Sequence, residues 1–211
     1  MSLLDDLGQA TIKGDADRVV ELVELALNEG LEADRIIRDG LIPAMDYIGD
    51  EFAEGKLYVP EMLISARAMQ AGMELVKPLL VEGQVETLAK VVIGSVQGDL
   101  HDIGKNLVGM MLEGAGAEII DLGTDVSPAS FVEAVREEQP DFLAMSTLLT
   151  TTMQVMEKTV DALAEAGLKD SVKVLIGGAP VTEAYCSEIG ADGYGTDAAA
   201  AVSRVRELVK G

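Results

Sequence analysis

Cysteine, histidine and basic side chains are scarce in this chain, and each scarcity narrows what it can be. A single cysteine, Cys186, among 211 residues rules out an internal disulfide and any multi-thiolate metal site. It falls in a segment of helical pattern and reads as a small apolar filler. A single histidine, His101, speaks against hydrolytic zinc centres, which draw on several His or Cys ligands. Lys plus Arg number 16 against 37 Asp plus Glu, a formal charge of −21. Such a surface repels a polyphosphate backbone, because nucleic-acid binding rests on cationic neutralisation; it favours solubility and permits steering toward a basic partner. No run approaches the roughly 20 apolar residues of a membrane helix. The opening Met-Ser-Leu-Leu-Asp-Asp lacks the basic flank and apolar stretch of a signal peptide. The expectation is a cytoplasmic protein that engages neither nucleic acid nor membrane.

What is present is a chain with 48% hydrophobic residues, enough for a sizeable core, in two parts. Residues 1–86 carry helical periodicity. Asp15 caps a helix whose apolar face includes Val19, Leu22, Val23 and Ala26. A second helical region, Ala33 to Phe52, is expected to be interrupted near Gly40 and Pro43 and to stop at Gly55. Pro60 suits a first helical turn, and Met62, Ala66, Met69, Met73 and Val76 then form one stripe at three- and four-residue spacing. Residues Leu80–Leu88 read as a linker. From residue 89 to 211 short apolar runs alternate with amphipathic segments. Strands are expected at Lys90–Val96, Glu118–Leu122, Asp141–Met145, Lys173–Ile176 and Asp192–Tyr194, with helices at 103–114, 128–138, 153–166, 182–189 and 198–209. This repetition predicts an α/β fold: an N-terminal helical bundle, then a flavodoxin/Rossmann-like, doubly wound, parallel five-stranded sheet.

In an open parallel sheet, ligands bind beyond the carboxyl ends of the strands, where strand order reverses. The unusual residues lie there. Gln97-Gly98-Asp99-Leu100-His101-Asp102-Ile103-Gly104 follows the first strand, Ser146-Thr147-Leu148-Leu149-Thr150-Thr151-Thr152 the third, and Gly177-Gly178-Ala179-Pro180 the fourth; Tyr194-Gly195-Thr196-Asp197-Ala198 accompanies the fifth. In strand order 2-1-3-4-5 the histidine loop and the hydroxyl run share a cleft. Asp99 is placed to accept a hydrogen bond from the ring nitrogen of His101 that a metal does not use, which fixes the tautomer and raises ligand basicity. Thr152 extends that relay by donating to Asp99. On position alone, a surface loop whose Asp and His merely solvate a turn is an equal alternative. A phosphate loop at Gly98–Lys105 fails: five residues separate Gly98 from Gly104, and Asn106 stands where Ser or Thr is required. Gly177 and Gly178 alone could equally mark a tight turn.

Taken together, Asp99-Leu100-His101-Asp102-Ile103-Gly104, Ser146-Thr147-Leu148 and Gly177-Gly178 resemble the cobalamin-binding fingerprint Asp-x-His-x-x-Gly, Ser-x-Leu, Gly-Gly. The intervals, 41 residues between Gly104 and Ser146 and 28 between Leu148 and Gly177, are in keeping with that family. In the helical half, Phe52-Ala53-Glu54-Gly55-Lys56-Leu57-Tyr58-Val59-Pro60-Glu61-Met62 with Ser65-Ala66-Arg67 resembles the cap module that precedes the cobalamin domain of methionine synthase. The resemblance implies that the cofactor's benzimidazole tail leaves cobalt and threads into the sheet, lined by Ser146, Leu148, Gly177 and Gly178. His101 replaces it as lower axial cobalt ligand, tuned by Asp99, and the loop Gln97–Gly104 surrounds it. Thr150, Tyr194, Gly195 and Ala198 contact the tail or corrin, while Phe52, Tyr58, Val59 and Met62 shield the upper face. Thr152 stands where the methionine synthase relay carries Ser. Small residues suit a buried tail, and an apolar lid protects a nucleophilic cobalt(I) from water.

At 211 residues there is no room for the barrel of about 250 residues that a mutase needs, nor are folate and homocysteine modules present. A cap plus one cobalamin domain is similar to the stand-alone corrinoid proteins of methyltransferase systems. The implied function is a methyl carrier that binds cobalamin or a related corrinoid, in methylcobalamin and cob(I)alamin states, without a complete active site of its own. The implied partners are a substrate-specific methyltransferase, an acceptor methyltransferase using tetrahydrofolate or coenzyme M, and a corrinoid reductive activase. The alternative is a cobalamin-based sensor, which normally adds a DNA-binding domain; no basic recognition helix is evident in the acidic N-terminal part.

Overall fold

The computed structural model describes residues 2–80 and 87–210; of the expected linker Leu80–Leu88, residues 81–86 lie outside them. The chain forms two compact units, Met1–Thr87 with Gly114–Gly116, and Leu88–Glu113 with Ala117–Gly211.

The first unit is helical: α1 (Leu3–Ile12), α2 (Ala16–Asn28), α3 (Ala33–Ile36), α4 (Ile42–Ala53) and α5 (Val59–Val76). Helix α1 begins on a reciprocal cap, in which Ser2 Oγ accepts from the Asp5 amide at 3.2 Å and the Asp5 carboxylate accepts from the Ser2 amide at 2.8 Å. Sequence reasoning began its helices at Asp15 and missed α1, where Gly8 interrupts the apolar face and lowers helix propensity. Asp15 does cap α2, accepting from the Arg18 amide at 3.1 Å, and Val19, Leu22, Val23 and Ala26 are buried. The interruption expected near Gly40 and Pro43 is instead a π-helical turn, Ile37–Leu41, that joins α3 to α4. The wider turn absorbs one extra residue. Pro43 sits in the first turn of α4, where a missing N–H costs nothing. Gly40 has no side chain because a Cβ would lie 2.8 Å from Leu7 Cδ2. Gly55, at φ +72°, follows α4, and the stripe Met62, Ala66, Met69, Met73 and Val76 is buried along α5. Ser65 anchors that helix by donating to the carbonyl of Ile12 at 2.9 Å.

The second unit is a β-α alternation: β1 (Lys90–Ser95), α6 (Ile103–Gly114), β2 (Glu118–Asp121), α7 (Pro128–Glu138), β3 (Phe142–Ser146), α8 (Met153–Glu165), β4 (Lys173–Gly177), α9 (Glu183–Glu188), β5 (Gly193–Gly195) and α10 (Ala198–Lys210). All strand pairings are parallel, in the order β2-β1-β3-β4-β5. A parallel sheet covered on both faces needs strands without a polar side, and in β1 Val91, Val92 and Ile93 are each no more than 2% exposed. Ser127 caps α7, accepting from the Ser130 amide at 3.1 Å, with Pro128 in the first turn. Phe131 and Leu143, Met156, Leu163 and Ile176 are fully buried in one core. Gly94 lets Phe131 lie against β1, since a Cβ there would come within 2.9 Å of the ring. Cys186 is buried on α9. The chain reverses direction across the sheet between β1 and β3, which leave on opposite sides, so the loops after these two strands diverge around one crevice.

Candidate functional site

The loop after β1 turns sharply: the Asp99 amide donates to Val96 O at 3.0 Å, and Gly98 takes φ +85°. This turn drives the Asp99 side chain inward until it is 0% exposed, while His101 remains half-exposed. Asp99 Oδ1 receives the backbone N–H of His101 at 3.0 Å and lies 2.7 Å from its ring Nδ1. Asp99 Oδ2 receives Thr147 Oγ1 at 2.8 Å and the amides of Leu148 and Leu149 at 2.6 and 3.3 Å. Burial pushes the Asp99 carboxyl up, but the hydrogen bonds from His101, Leu148 and Thr147 outweigh it and hold the group well below the usual carboxylate range. An ionised carboxylate only accepts. Nδ1 of His101 is therefore the ring nitrogen that donates to Asp99, and Nε2 is the one left for a ligand. Ser95 fixes the same loop by donating to the His101 carbonyl at 2.7 Å.

The relay holds one hydroxyl more than expected. Thr152 Oγ1 reaches Asp99 Oδ2 at 3.4 Å, as expected, and Thr147 Oγ1 reaches it more closely at 2.8 Å. The two hydroxyls lie 2.5 Å apart, and Thr152 also lies 3.0 Å from Leu149 O. Thr147 stood inside the hydroxyl run noted in the sequence, but nothing in spacing alone ranks five neighbouring hydroxyls against one carboxylate.

Around the imidazole the surface is apolar. Leu100 and Ile103 are 74% and 78% exposed, and Leu148 and Leu149 on the facing loop are exposed as well. Exposed apolar side chains clustered about one polar atom mark a binding surface. Gly104 is informative because the fold does not require it: a Cβ there would meet nothing within 4 Å, and its φ is ordinary. Gln97, Gly98 and Asp102 are exposed beside it. By contrast Gly178, at φ +125°, is demanded by packing, since a Cβ would collide with the Thr147 carbonyl. Gly177 pairs with Ser146 on one side and Gly195 on the other, a lane of small residues across the ends of three strands. Thr150 is exposed and Tyr194 half-buried, whereas Ala198 is 3% exposed and belongs to the packing of α10. In the helical unit, Tyr58 and Val59 are exposed at the start of α5 and Phe52 is half-buried, but Met62 is fully buried in this structure and has no surface to offer a ligand.

Among the described residues there is no group of three or more His, Cys, Asp or Glu able to hold a metal ion. One imidazole does not retain a free ion, but it suits a metal that arrives with its own planar ring of ligands. The exposed Leu100 and Ile103 and the open space at Gly104 suit the approach of such a macrocycle.

Residues 89–203 match the model of a B12 binding domain, and residues 3–77 match a second B12 binding domain model. The chain is 40% identical over 212 residues to a corrinoid protein of Desulfitobacterium hafniense (strain Y51), covering 99% of this chain and 98% of that one. It is 42% identical over 208 residues to the dimethylamine corrinoid protein of Methanosarcina barkeri, covering 98% and 97%. Its structure is similar to a chain of the methanol:cobalamin methyltransferase complex MtaBC from Methanosarcina barkeri, with a TM-score of 0.89 and 32% identity, covering 99% of this chain and 80% of that one. With both of its parts matched and near-complete relatives at this identity, the chain belongs to the B12-binding corrinoid proteins, and its cofactor is cobalamin or a related corrinoid.

Proposed function

We propose that the chain is a methyl carrier in which His101 is the lower axial cobalt ligand, serving a substrate-specific methyltransferase that loads it and a second methyltransferase that unloads it to tetrahydrofolate or coenzyme M. The observation that carries this reading is the couple of a buried, ionised Asp99 and a half-exposed His101 at 2.7 Å. When bound, the corrinoid supplies a cobalt centre able to accept and release a methyl group. The chain's own residues do the rest. Asp99 fixes the Nδ1–H tautomer and strengthens Nε2 as a donor, as partners of metal-bound histidines do. The amides of His101 and Leu148, with Thr147 and with Thr152 behind it, hold Asp99 in its charged form, so that it would keep its bond to Nδ1 when a corrinoid is bound. Leu100, Ile103, Leu148 and Leu149 exclude water from the rim. Ser146, Gly177, Gly178, Thr150, Tyr194 and Gly195 are assigned to the nucleotide tail, and Phe52, Tyr58 and Val59 to shielding the opposite face.

Relatives named for dimethylamine and methanol systems support this choice of partners. Transfer to and from two enzymes demands that the shielding residues move aside. The test is reconstitution with hydroxocobalamin. The wild type should bind it with the cofactor's own base displaced, and His101→Ala should lose the histidine-ligated absorption spectrum. An identical spectrum in the variant would refute the ligation.

A further inference from the structure

The loop between β2 and α7 contains no residue that the proposed function uses, yet it is tied to the ligand loop at every turn. Gly123 O accepts from the Ser95 amide at 2.9 Å, and the Val126 amide donates back to Ser95 O at 3.0 Å. Those two bonds extend the sheet. The next two do something else. The Asp125 amide donates to Asp99 O at 3.1 Å, and the Asp125 carboxylate accepts from the Gly98 amide at 2.7 Å. One residue thus grips both backbone groups from which the buried Asp99 side chain hangs, and Asp99 in turn holds the His101 ring.

Asp125 does this from φ +58°, one of two non-glycine residues at positive φ among the described residues. Left-handed backbone is uncommon for a residue with a Cβ, and a loop selected only for turning would place glycine there. A carboxylate at that position is explained by the bond it makes to Gly98. The root of the loop is tied as well. Asp121 accepts the Gly123 amide at 2.8 Å and the Lys105 ammonium at 2.5 Å, and Lys105 is 2% exposed on α6, one residue after Gly104. The loop is therefore braced against the helix that follows the ligand loop and against the ligand loop itself.

We propose that Asp125 is a positioning residue for the axial ligand: it locks the Gly98–Asp99 backbone so that the Asp99 carboxylate, and through it His101 Nε2, holds a set direction. This rests on the proposed ligation by His101. Partners hydrogen-bonded directly to a metal ligand typically change metal affinity by 10- to 100-fold when lost; Asp125 acts through such a partner, Asp99, which puts its effect at the lower end.

The test uses the full chain reconstituted with hydroxocobalamin and reduced to the cobalt(II) state, read by electron paramagnetic resonance for splitting by an axial nitrogen. Asp125→Gly keeps the backbone conformation without cost and removes only the carboxylate; Asp125→Asn keeps an accepting oxygen and tolerates positive φ. The expected result is a weakened or heterogeneous nitrogen splitting and roughly tenfold poorer hydroxocobalamin affinity in Asp125→Gly, both restored in Asp125→Asn. Unchanged splitting and affinity in Asp125→Gly, with splitting lost in His101→Ala, would overturn the positioning role while leaving the ligation intact. Splitting retained in His101→Ala would overturn the ligation and the positioning role together. Failure of Asp125→Gly to fold, seen by circular dichroism, would show the carboxylate supporting the fold rather than the ligand, and would also overturn it.

Discussion

Asp99 illustrates how a single carboxylate serves stability and ligand geometry at once. It is fully buried and receives hydrogen bonds from His101, Thr147 and Leu148. Removing it strands those donors, and each unsatisfied buried group costs about 1–3 kcal/mol. Asp99→Ala should therefore lower the stability of the apo-protein by about 3 kcal/mol at neutral pH, measurable by urea unfolding. The pH dependence has a definite sign. The folded carboxyl is held below its unfolded value of about 3.9, so its contribution is fully present above that value and is lost as pH falls through the folded one. The stability difference between wild type and Asp99→Asn should then shrink as pH falls below about 4; a difference that persists undiminished in strong acid would contradict the assignment. Gly104 makes the opposite case. Its neighbourhood is empty and its backbone ordinary, so Gly104→Ala should leave apo stability unchanged or raise it by about 0.5–1 kcal/mol, while hydroxocobalamin affinity falls. Equal affinity in the two proteins would show that the cofactor does not approach that position.

Among the elements, α7 shows most directly how side chains place the crevice. Ser127 and Pro128 start it, and Phe131 drives it against β1 at Gly94. Phe131 is fully buried, and truncating such a ring leaves a cavity that the neighbours fill only in part. Phe131→Ala should cost about 3–5 kcal/mol by chemical denaturation. Ser127→Ala, which removes only the cap, should cost about 1 kcal/mol. The element types in this unit were legible beforehand because continuous apolar runs and amphipathic segments alternate from residue 89 onward. Helices α6 and α7 begin and end where the pattern placed them, and Gly40 with Pro43 correctly marked an irregularity in the helical unit. Its form, a π-turn rather than a break, depends on Leu4 and Leu7 of α1 packing where a Gly40 side chain would stand, and α1 itself was not foreseen.

For the whole molecule, the acidic balance of −21 and two B12-binding parts make a carrier whose stability is coupled to its cofactor. A ligand that binds only the folded state stabilises it by about 2.7 kcal/mol at a hundredfold excess over Kd. Hydroxocobalamin should accordingly raise the melting temperature in proportion to the logarithm of its concentration. No described helix is long and apolar enough to cross a membrane.

Local residue order was enough to set the β-α alternation from residue 89 onward and to single out Asp99, His101 and Gly104 as candidates, because hydrophobic period and short-range motif are properties of neighbouring residues. Folding in three dimensions was needed to add Thr147 beside Thr152 as a hydroxyl on Asp99 and to recruit Asp125, 26 positions after Asp99. Both choices depend on how loops from different strands meet: Gly178 admits the backbone of Thr147 only because it lacks a side chain, and Asp125 reaches Gly98 only because β2 lies beside β1. Hydrogen bonds between residues distant along the chain leave no periodic trace in its sequence, so those partners became visible only once the strands were aligned.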